Sequence, residues 1–298
     1  MAKLTFFIVD VFAAAAGKYT GNQLAVFTTG SSQLSDGEMQ RIAKEMNYSE
    51  TTFVLSSHLR EGGYDVRIFT PEQELPFAGH PTLGTAYIIQ REIVKEPIAS
   101  INLNLKVGQI PLALKNQEGL GEIWWMQQKP PTFHKILSPR EVAAALNLDE
   151  EAIDIRFPIQ EVSTGIPFII VPLKTRADLQ RAKIDRDRYF QLIRDTEAKC
   201  ILIFCPEPYQ PDSNLGVRMF ADALGIPEDP ATGSANGCLA GYLVEHSYFG
   251  QEAIAVRVDQ GYEIGRPSLL LLNAEKQGSQ IAISVGGKVE MVARGEFL

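Results

Sequence analysis

The sequence has no apolar run that approaches the roughly 18 residues of a membrane-spanning helix. Its three cysteines, Cys200, Cys205 and Cys238, show no disulfide-framework spacing, and such a low, odd count is typical of a reducing cytosol. The four histidines form no cluster, and neither CxxC nor HExxH occurs. We therefore expect no metal site and a cytoplasmic protein.

Basic residues are also scarce, with 28 Lys and Arg against 36 Asp and Glu and a net charge of −8. This balance argues against nucleic acid or an anionic membrane as a partner, because both attract basic patches. The N-terminal MAKLTFFIVDVF lacks a small-residue cleavage site and is more typical of a strand than of a signal peptide. The remaining expectation is a small-molecule partner and, at 298 residues, two domains of ordinary size.

One segment occurs twice, as DVRIFTPEQELPFAGHPTLGTA from Asp65 to Ala86 and as GVRMFADALGIPEDPATGSA from Gly216 to Ala235. The two arginines, Arg67 and Arg218, are 151 residues apart, and the corresponding prolines are 149 apart. A repeat at half the chain length indicates two similar domains.

The helices predicted after the two prolines, TLGTAYII and TGSANGCLAGYLV, are apolar on almost every side and rich in small residues. A helix that is apolar all round is buried. The predicted fold class is therefore α+β, with two pseudo-symmetric domains, each a curved, mostly antiparallel sheet wrapped around a central buried helix.

Proline is favoured at the first helical position, so Pro81 and Pro230 are predicted to open these helices, with His80 and Asp229 at the caps. Asp is a preferred cap and needs no further role, whereas His is a poor one. Two equivalent positions with different proton-transfer groups indicate a cleft between the domains.

Free N–H groups at a helix start bind anions, and the helix dipole assists. Gly79, Gly233 and Ser234 are thus candidate contacts for a small carboxylate. Glu50, at the head of the apolar strand in SETTFV, is a third candidate acid/base group or a surface carboxylate. Asn22, in TGNQLAVF, is either a substrate contact or a turn residue.

Six ordered motifs resemble the PhzF phenazine-biosynthesis-like family. They are VDVF (9–12), GNQLAVF (21–27), MQRIAKEMNYSETTFV (39–54), FTPEQELPFAGHPTLGTA (69–86), STGIPFIIVPL (163–173) and EDPATGSANG (228–237). The resemblance continues to GGKVEMVARGEF at 286–297 and so covers nearly the whole chain. It implies the diaminopimelate-epimerase fold, a first domain of residues 1–118 plus 284–298, a second of 119–283, and a homodimer.

The resemblance also implies a function. The acid/base carboxylate of the family corresponds to Glu50, and its supporting residues correspond to His80, Asp229 and Ser234. The characterised activity, isomerisation of dihydro-3-hydroxyanthranilate, moves a proton between ring carbons and needs no cofactor. Other enzymes of this fold racemise amino acids with two opposed thiols, and no cysteine of this chain stands at either position, which disfavours that chemistry.

Two functions follow as expectations. The first is a cofactor-independent isomerase that moves a proton on a small cyclic or amino-acid-like carboxylate, with Glu50, His80 and Asp229 as catalytic groups. The second is a binding or regulatory protein of the same fold that holds a small carboxylate without turnover.

Overall fold

The computed structural model describes residues 4–15, 17–28 and 33–297. The chain forms two compact units, unit 1 of residues 1–126 and 286–298 and unit 2 of residues 127–285. The domain limits given above, 118/119 and 283/284, remain a prediction, and residues 1–3, 16, 29–32 and 298 of that first domain lie outside the described residues.

Unit 1 is built mainly of strands, with two α-helices between them. Its elements are β1 (Leu4–Val11), β2 (Asn22–Phe27), α1 (Asp36–Met46), β3 (Glu50–Val54), β4 (Tyr64–Phe69), β5 (Glu74–Leu75), α2 (Gly79–Ile88), β6 (Ser100–Leu105), β7 (Gly108–Gln117), β8 (Gly121–Gln127) and, from the end of the chain, β17 (Val289–Phe297). A π-helical segment, Ile89–Val94, extends α2.

Unit 2 has the same kinds of element. They are β9 (Thr132–Ile136), α3 (Pro139–Ala145), β10 (Gln160–Ser163), β11 (Pro167–Pro172), α4 (Arg176–Arg181), α5 (Arg186–Leu192), β12 (Cys200–Cys205), β13 (Leu215–Phe220), α6 (Gly233–Glu245), β14 (Ala253–Gln260), β15 (Ser268–Gln277) and β16 (Gln280–Gly287). Short 3₁₀ turns at 150–152, 193–195 and 222–224 complete it.

The two units share one order of strand pairings. In unit 1, β1–β2 is antiparallel, β2–β3 parallel, β3–β4 antiparallel, β4–β6 parallel and β6–β7 antiparallel. In unit 2, β10–β11, β11–β12, β12–β13, β13–β14 and β14–β15 repeat this alternation. α2 follows the fourth strand in one unit and α6 follows it in the other. The repeat in the sequence is thus a repeat of topology.

Each sheet has a helix buried on its inner face. All ten residues of α2 are buried, and it packs against β1, β2, β3, β6 and β17. Eleven of the thirteen residues of α6 are buried, and it packs against β10, β11, β14 and β15. Both sheets are mostly antiparallel, so the predicted fold class is confirmed.

The outer faces of the sheets carry the amphipathic helices. In unit 1, Met39 and Ala43 of α1 pack on Phe27 and Phe53. In unit 2, helices α3, α4 and α5 cover the opposite face from α6, with Tyr189 fully buried among strand residues. Within the described residues, no helix has the length and apolarity of a membrane span.

Three local predictions were wrong. Besides the helix starts, the sequence pattern predicts one helix over 178–194 and a strand over 261–268. The helix is broken into α4 and α5, because Ala182 is extended and Asp185 caps α5 through the Arg188 N–H. The guanidinium of Arg218, in β13, accounts for the break, because it donates hydrogen bonds to the carbonyl oxygens of Leu179 and Ala182 at 2.8 and 2.9 Å.

The strand expected over 261–268 is instead a turn, with Gly261 and Gly265 at φ values of 80° and 69°. The chain also passes very close to itself there, because a Cβ on Gly261 would lie 2.6 Å from the Pro230 carbonyl oxygen. The third error concerns the two helix starts and belongs to the site.

Candidate active site

The position of Glu50 follows from the end of the preceding helix. Asn47 leaves α1 in the left-handed conformation, with φ 54°, and its N–H bonds to the Ala43 carbonyl. A short bend then delivers Glu50 as the first residue of β3, level with Leu24 of the parallel strand β2. The Glu50 side chain therefore lies at the N-terminal end of β3 and is only 14% exposed.

The His80 side chain contacts Glu50 at this end of β3. Its Nε2 lies 3.5 Å from Glu50 Oε2 and 3.3 Å from the carbonyl oxygen of Gln23 in β2. A hydrogen bond of 2.8 Å between the hydroxyls of Thr52 and Thr85 joins β3 to α2 close by. The structure thus brings two of the predicted catalytic residues into contact within unit 1.

Burial sets the charge of His80. It lowers the pKa of the imidazole to about 3, although the Gln23 carbonyl opposes the shift, so the ring is neutral at pH 7. Both neighbours of Nε2 are acceptors, which assigns the proton to Nε2 and leaves Nδ1 as an acceptor. The Nε2–H is bonded to the Gln23 carbonyl, and the 3.5 Å approach of the neutral ring to Glu50 Oε2 is a close contact rather than an ion pair.

The predicted caps are corrected by the structure. Helix α2 begins at Gly79, with Ala78 at the cap and Pro81 in the third position. His80 lies inside the first turn, so its ring is not a cap at all. The Thr82 hydroxyl donates a hydrogen bond to the Ala78 carbonyl at 2.6 Å and so stabilises the first turn without a side-chain cap.

The second copy starts its helix later. Helix α6 begins at Gly233 with Thr232 at the cap, so Pro230 and Asp229 precede it in a non-helical loop. Asp229 is buried, its N–H bonds to the Met219 carbonyl at 3.0 Å, and its Oδ2 accepts from the Thr232 hydroxyl. Asp229 is therefore held by the loop rather than used as a cap.

Both helix starts offer N–H groups that no side chain caps. Gly233 and Ser234 are the first two residues of α6, and Gly79 and His80 are the first two of α2. The first N–H groups of a helix lack an intrahelical partner and favour anions. Among the hydrogen bonds of the described residues, none involves the partly exposed Ser234 hydroxyl, which leaves it available to a ligand.

Asn22 is not a turn residue. The turn is made by Gly21, at φ 71°, where a Cβ would lie 2.3 Å from the Val11 carbonyl oxygen. Asn22 is the first residue of β2, 2% exposed and directly before Gln23. It therefore lies on the same strand end as the carbonyl that contacts His80.

The cysteines take no part in these clusters. Cys200 and Cys205 are the first and last residues of β12, and Cys238 lies in the second turn of α6. Burial raises the pKa of Cys200 and Cys238 to about 12 and that of Cys205 to about 11, so the thiols stay protonated. Over the described ranges, no group of three or more His, Cys, Asp or Glu side chains is arranged to hold a metal ion.

Shape alone does not mark these clusters. A surface groove of about 880 Å³ lies elsewhere in unit 2, beside α3 and α5, with exposed charged walls and none of the predicted residues. Sequence analysis missed the groups that hold the predicted ones, Gln23, Thr232, Asn236 and Gln260. Thr232 and Asn236 lie in the EDPATGSANG motif and Gln23 lies in GNQLAVF, so the sequence carried a signal for these three. Gln260 lies outside the quoted motifs and acts on residues 24 to 31 positions earlier in the chain.

The structure is similar to a PhzF-family phenazine biosynthesis protein of Bacillus anthracis, with a TM-score of 0.91, 27% identity and full coverage of both chains. At the level of fold alone it is similar to a probable proline racemase of Agrobacterium radiobacter, with a TM-score of 0.62, 10% identity and coverage of 99% and 93%.

The chain belongs to the family described as Phenazine biosynthesis-like protein, whose profile matches residues 9–295. It is 37% identical to Trans-2,3-dihydro-3-hydroxyanthranilate isomerase of Pseudomonas aeruginosa, over 97% of this chain and 98% of that protein. An uncharacterized isomerase of Mesorhizobium japonicum is 32% identical, with coverage of 100% and 99%. The chain is thus an isomerase of the PhzF kind.

Proposed function

We propose that the chain moves a proton between two carbons of a small cyclic or amino-acid-like carboxylate, similar to dihydro-3-hydroxyanthranilate, with Glu50 as the acid/base. The observation that carries the proposal is a largely buried carboxylate whose Oε2 lies 3.5 Å from Nε2 of a neutral imidazole. The names of relatives at 36–37% identity over nearly the full chain support the same reaction.

The steps balance without an outside reagent. The Glu50 carboxylate takes a proton from an sp³ ring carbon. The electron pair of that C–H bond forms a new double bond to the adjacent ring carbon, and the π pair already there shifts along the conjugated system. The resulting carboxylic acid returns the proton to a carbon further along the conjugated system. Nothing is oxidised or reduced, so we propose that turnover needs no cofactor.

We assign His80 as the neutral neighbour of Glu50 during both transfers. Because its ring is uncharged and its Nε2–H is bonded to the Gln23 carbonyl, it does not neutralise the carboxylate as an imidazolium would. We assign Asp229 as the second acid/base group, held by Thr232. The substrate carboxylate is assigned to Gly233 and Ser234 at the start of α6.

Gly79 and Asn22 are proposed as further substrate contacts. Gly79 contributes a first-turn N–H of α2, and Asn22 a buried side chain beside the Gln23 carbonyl. We also propose, from the family resemblance, a cytoplasmic homodimer. Light scattering coupled to size exclusion tests the dimer, and activity after dialysis against a chelator tests the cofactor proposal.

The deciding experiment compares Glu50→Gln with Glu45→Gln, the same change on an exposed residue of α1. In D₂O with trans-2,3-dihydro-3-hydroxyanthranilate, we expect Glu50→Gln to lower deuterium incorporation into substrate carbon by roughly 10²–10⁴-fold. Substrate affinity and melting temperature should stay near wild type in both variants.

Two outcomes contradict the proposal. Exchange by Glu50→Gln within threefold of wild type would show that another group carries the proton. Binding of the carboxylate by the wild type with no exchange after long incubation would favour the binding or regulatory protein instead.

A further inference from the structure

Gln260 is a fully buried amide at the end of β14 that serves the loop carrying Asp229. Its Nε2 donates to the Asp229 carbonyl at 2.9 Å and to Thr232 Oγ1 at 3.3 Å. Its Oε1 accepts from Asn236 Nδ2 at 2.8 Å and from the Thr232 N–H at 3.4 Å. All the hydrogen-bonding capacity of one amide is spent on 229–236.

The orientation of this amide is settled by its partners. The Asp229 carbonyl can only accept, so it must face the NH₂ group of Gln260. The Thr232 N–H can only donate, so it must face the oxygen. In a flipped amide, the Gln260 oxygen would face the Asp229 carbonyl oxygen, and the Gln260 NH₂ group would face the Thr232 N–H. Both contacts would be unfavourable at a fully buried side chain.

This orientation fixes the Thr232 hydroxyl as well. A hydroxyl has one proton, and Thr232 Oγ1 already accepts from Gln260. Its proton is therefore directed at Asp229 Oδ2, the contact seen in the structure. A chain of two donations runs from Gln260 through Thr232 to the Asp229 carboxylate.

The support behind this chain is rigid. Gln260 is held on two sides, by Ser268 of β15 and Val217 of β13. The next residue, Gly261, has its Cα so close to Pro230 that a side chain there would collide with the Pro230 backbone. The loop therefore rests on the end of a paired strand.

We propose that Gln260 is the positioning residue of Asp229, which it orients through the Thr232 hydroxyl and the loop backbone. The proposal rests on the catalytic role proposed above for Asp229. It assigns no contact between Gln260 and the substrate, so Gln260 acts on the rate of the chemical step and not on substrate affinity.

The matched pair Thr232→Val and Thr232→Ser tests the chain of two hydrogen bonds from Gln260 through the Thr232 hydroxyl to Asp229. Thr232 makes no side-chain cap bond to α6, so neither change removes a helix cap. We expect Thr232→Val to lower kcat for deuterium exchange by about 10–100-fold, with KM changed less than threefold, because small displacements of a reacting group have such effects. Thr232→Ser keeps the hydroxyl and should stay within about threefold of wild type.

Equal losses of kcat in the two variants would show that packing of the Thr232 methyl group matters rather than its hydroxyl hydrogen bonds, and would overturn the proposal. Wild-type kcat in Thr232→Val would overturn it as well. Asp229→Asn is the reference, and its loss of kcat should equal or exceed that of Thr232→Val.

Gln260→Glu tests the other end of the chain and needs no substrate. Glu keeps the shape and the oxygen that faces Asn236 but removes the donor to the Asp229 carbonyl and Thr232 Oγ1. In amide hydrogen exchange, we expect segment 229–234 to exchange at least tenfold faster than in wild type, while 36–46 is unchanged. Unchanged protection of 229–234 would overturn the positioning role even if the protein showed no isomerase activity.

The two proposals fail separately. If the wild type shows no exchange on any carboxylate, the proposed function fails, and amide exchange still decides whether Gln260 holds the loop. If Glu50→Gln loses activity while Gln260→Glu and Thr232→Val keep it, the function stands and the positioning role falls.

Discussion

At the scale of single residues, burial decides the chemistry of the candidate site. His80 and Glu50 have the composition of an ion pair, yet the imidazole is so deeply buried that its neutral form is the stable one. A neutral ring whose Nε2–H is bonded to the Gln23 carbonyl lies beside the carboxylate without forming an ion pair with it. The three thiols are inert for the same physical reason.

The pH dependence of stability reports on His80. Its pKa is lowered in the folded chain, from 6.5 to about 3, so the unfolded chain binds more protons between these values. Stability is complete above pH 6.5 and is lost as the pH falls. We expect His80→Gln to lack this dependence, so the difference in unfolding free energy from wild type should shrink by about 2 kcal/mol between pH 7 and 4.5.

Urea denaturation across that range measures the effect. A difference that stays constant with pH would mean that His80 is protonated in the folded state, which would remove the neutral-ring role proposed for it.

Ser234 gives a second residue-scale prediction. Ser234→Ala removes one neutral donor, about 0.5–1.5 kcal/mol, and should weaken carboxylate binding severalfold while backbone N–H groups keep part of the affinity. Calorimetry with a carboxylate and with an apolar isostere of the same shape measures it. If both ligands lose affinity equally, the cause is packing and Ser234 is not the anchor.

At the scale of elements, the two copies of the repeat use one device to hold β4 and β13. Arg67 forms a two-point pair with Glu74 and lies 5.1 Å over the ring of Phe69. Arg218 does the same with Glu228 and with Phe220, at 4.8 Å. In the second copy, the clamped glutamate directly precedes Asp229, so the clamp also steadies the site.

The central helices need small residues for close packing. In α2, a Cβ at Gly84 would lie 2.6 Å from Leu24 and 2.8 Å from Val11, both in the sheet. We expect Gly84→Ala to cost about 1–3 kcal/mol of stability. Gly37→Ala, in the exposed helix α1, is the control and should add about 0.5 kcal/mol, because Ala is the better helix former and its Cβ meets only the flexible Arg41.

Chemical denaturation of both variants decides the point. Gly84→Ala at wild-type stability would show that the sheet can move away from α2, and the close approach would then not be what selects glycine.

At the scale of the whole molecule, the units carry separate natural probes. All three cysteines lie in unit 2, and both tryptophans, Trp124 and Trp125, lie in unit 1. Each unit also has its own hydrophobic cluster against its sheet. Unfolding of the two units can therefore be followed independently without labels.

We expect the native protein to show no reactive thiol toward Ellman's reagent at pH 8, because all three cysteines are buried and their pKa values are raised. Reaction in urea should follow the loss of structure in unit 2. Tryptophan emission, measured in parallel, reports unit 1. One thiol that reacts stoichiometrically in the native state would contradict the burial and reopen thiol chemistry.

The sequence by itself determined the features that depend on local pattern. The repeat and the all-round apolar character of the two central helices are such features. Ser35 with Glu38 three residues later also predicts a capping box for α1, and the box is present, with the two residues bonded in both directions. The motif resemblance also identified the family and the isomerase class. The assignment of catalytic and binding roles to individual residues stays a prediction.

Only the tertiary structure decided how the two copies differ. Identical prolines start neither helix, because the first copy becomes helical at Gly79 while residues 229–232 of the second are held out of the helix by Gln260, an amide 28 to 31 residues further along. The break at Ala182 and the neutral charge of His80 have the same origin. Each depends on a desolvated contact between distant parts of the chain, and such contacts leave no periodic signal in a sequence.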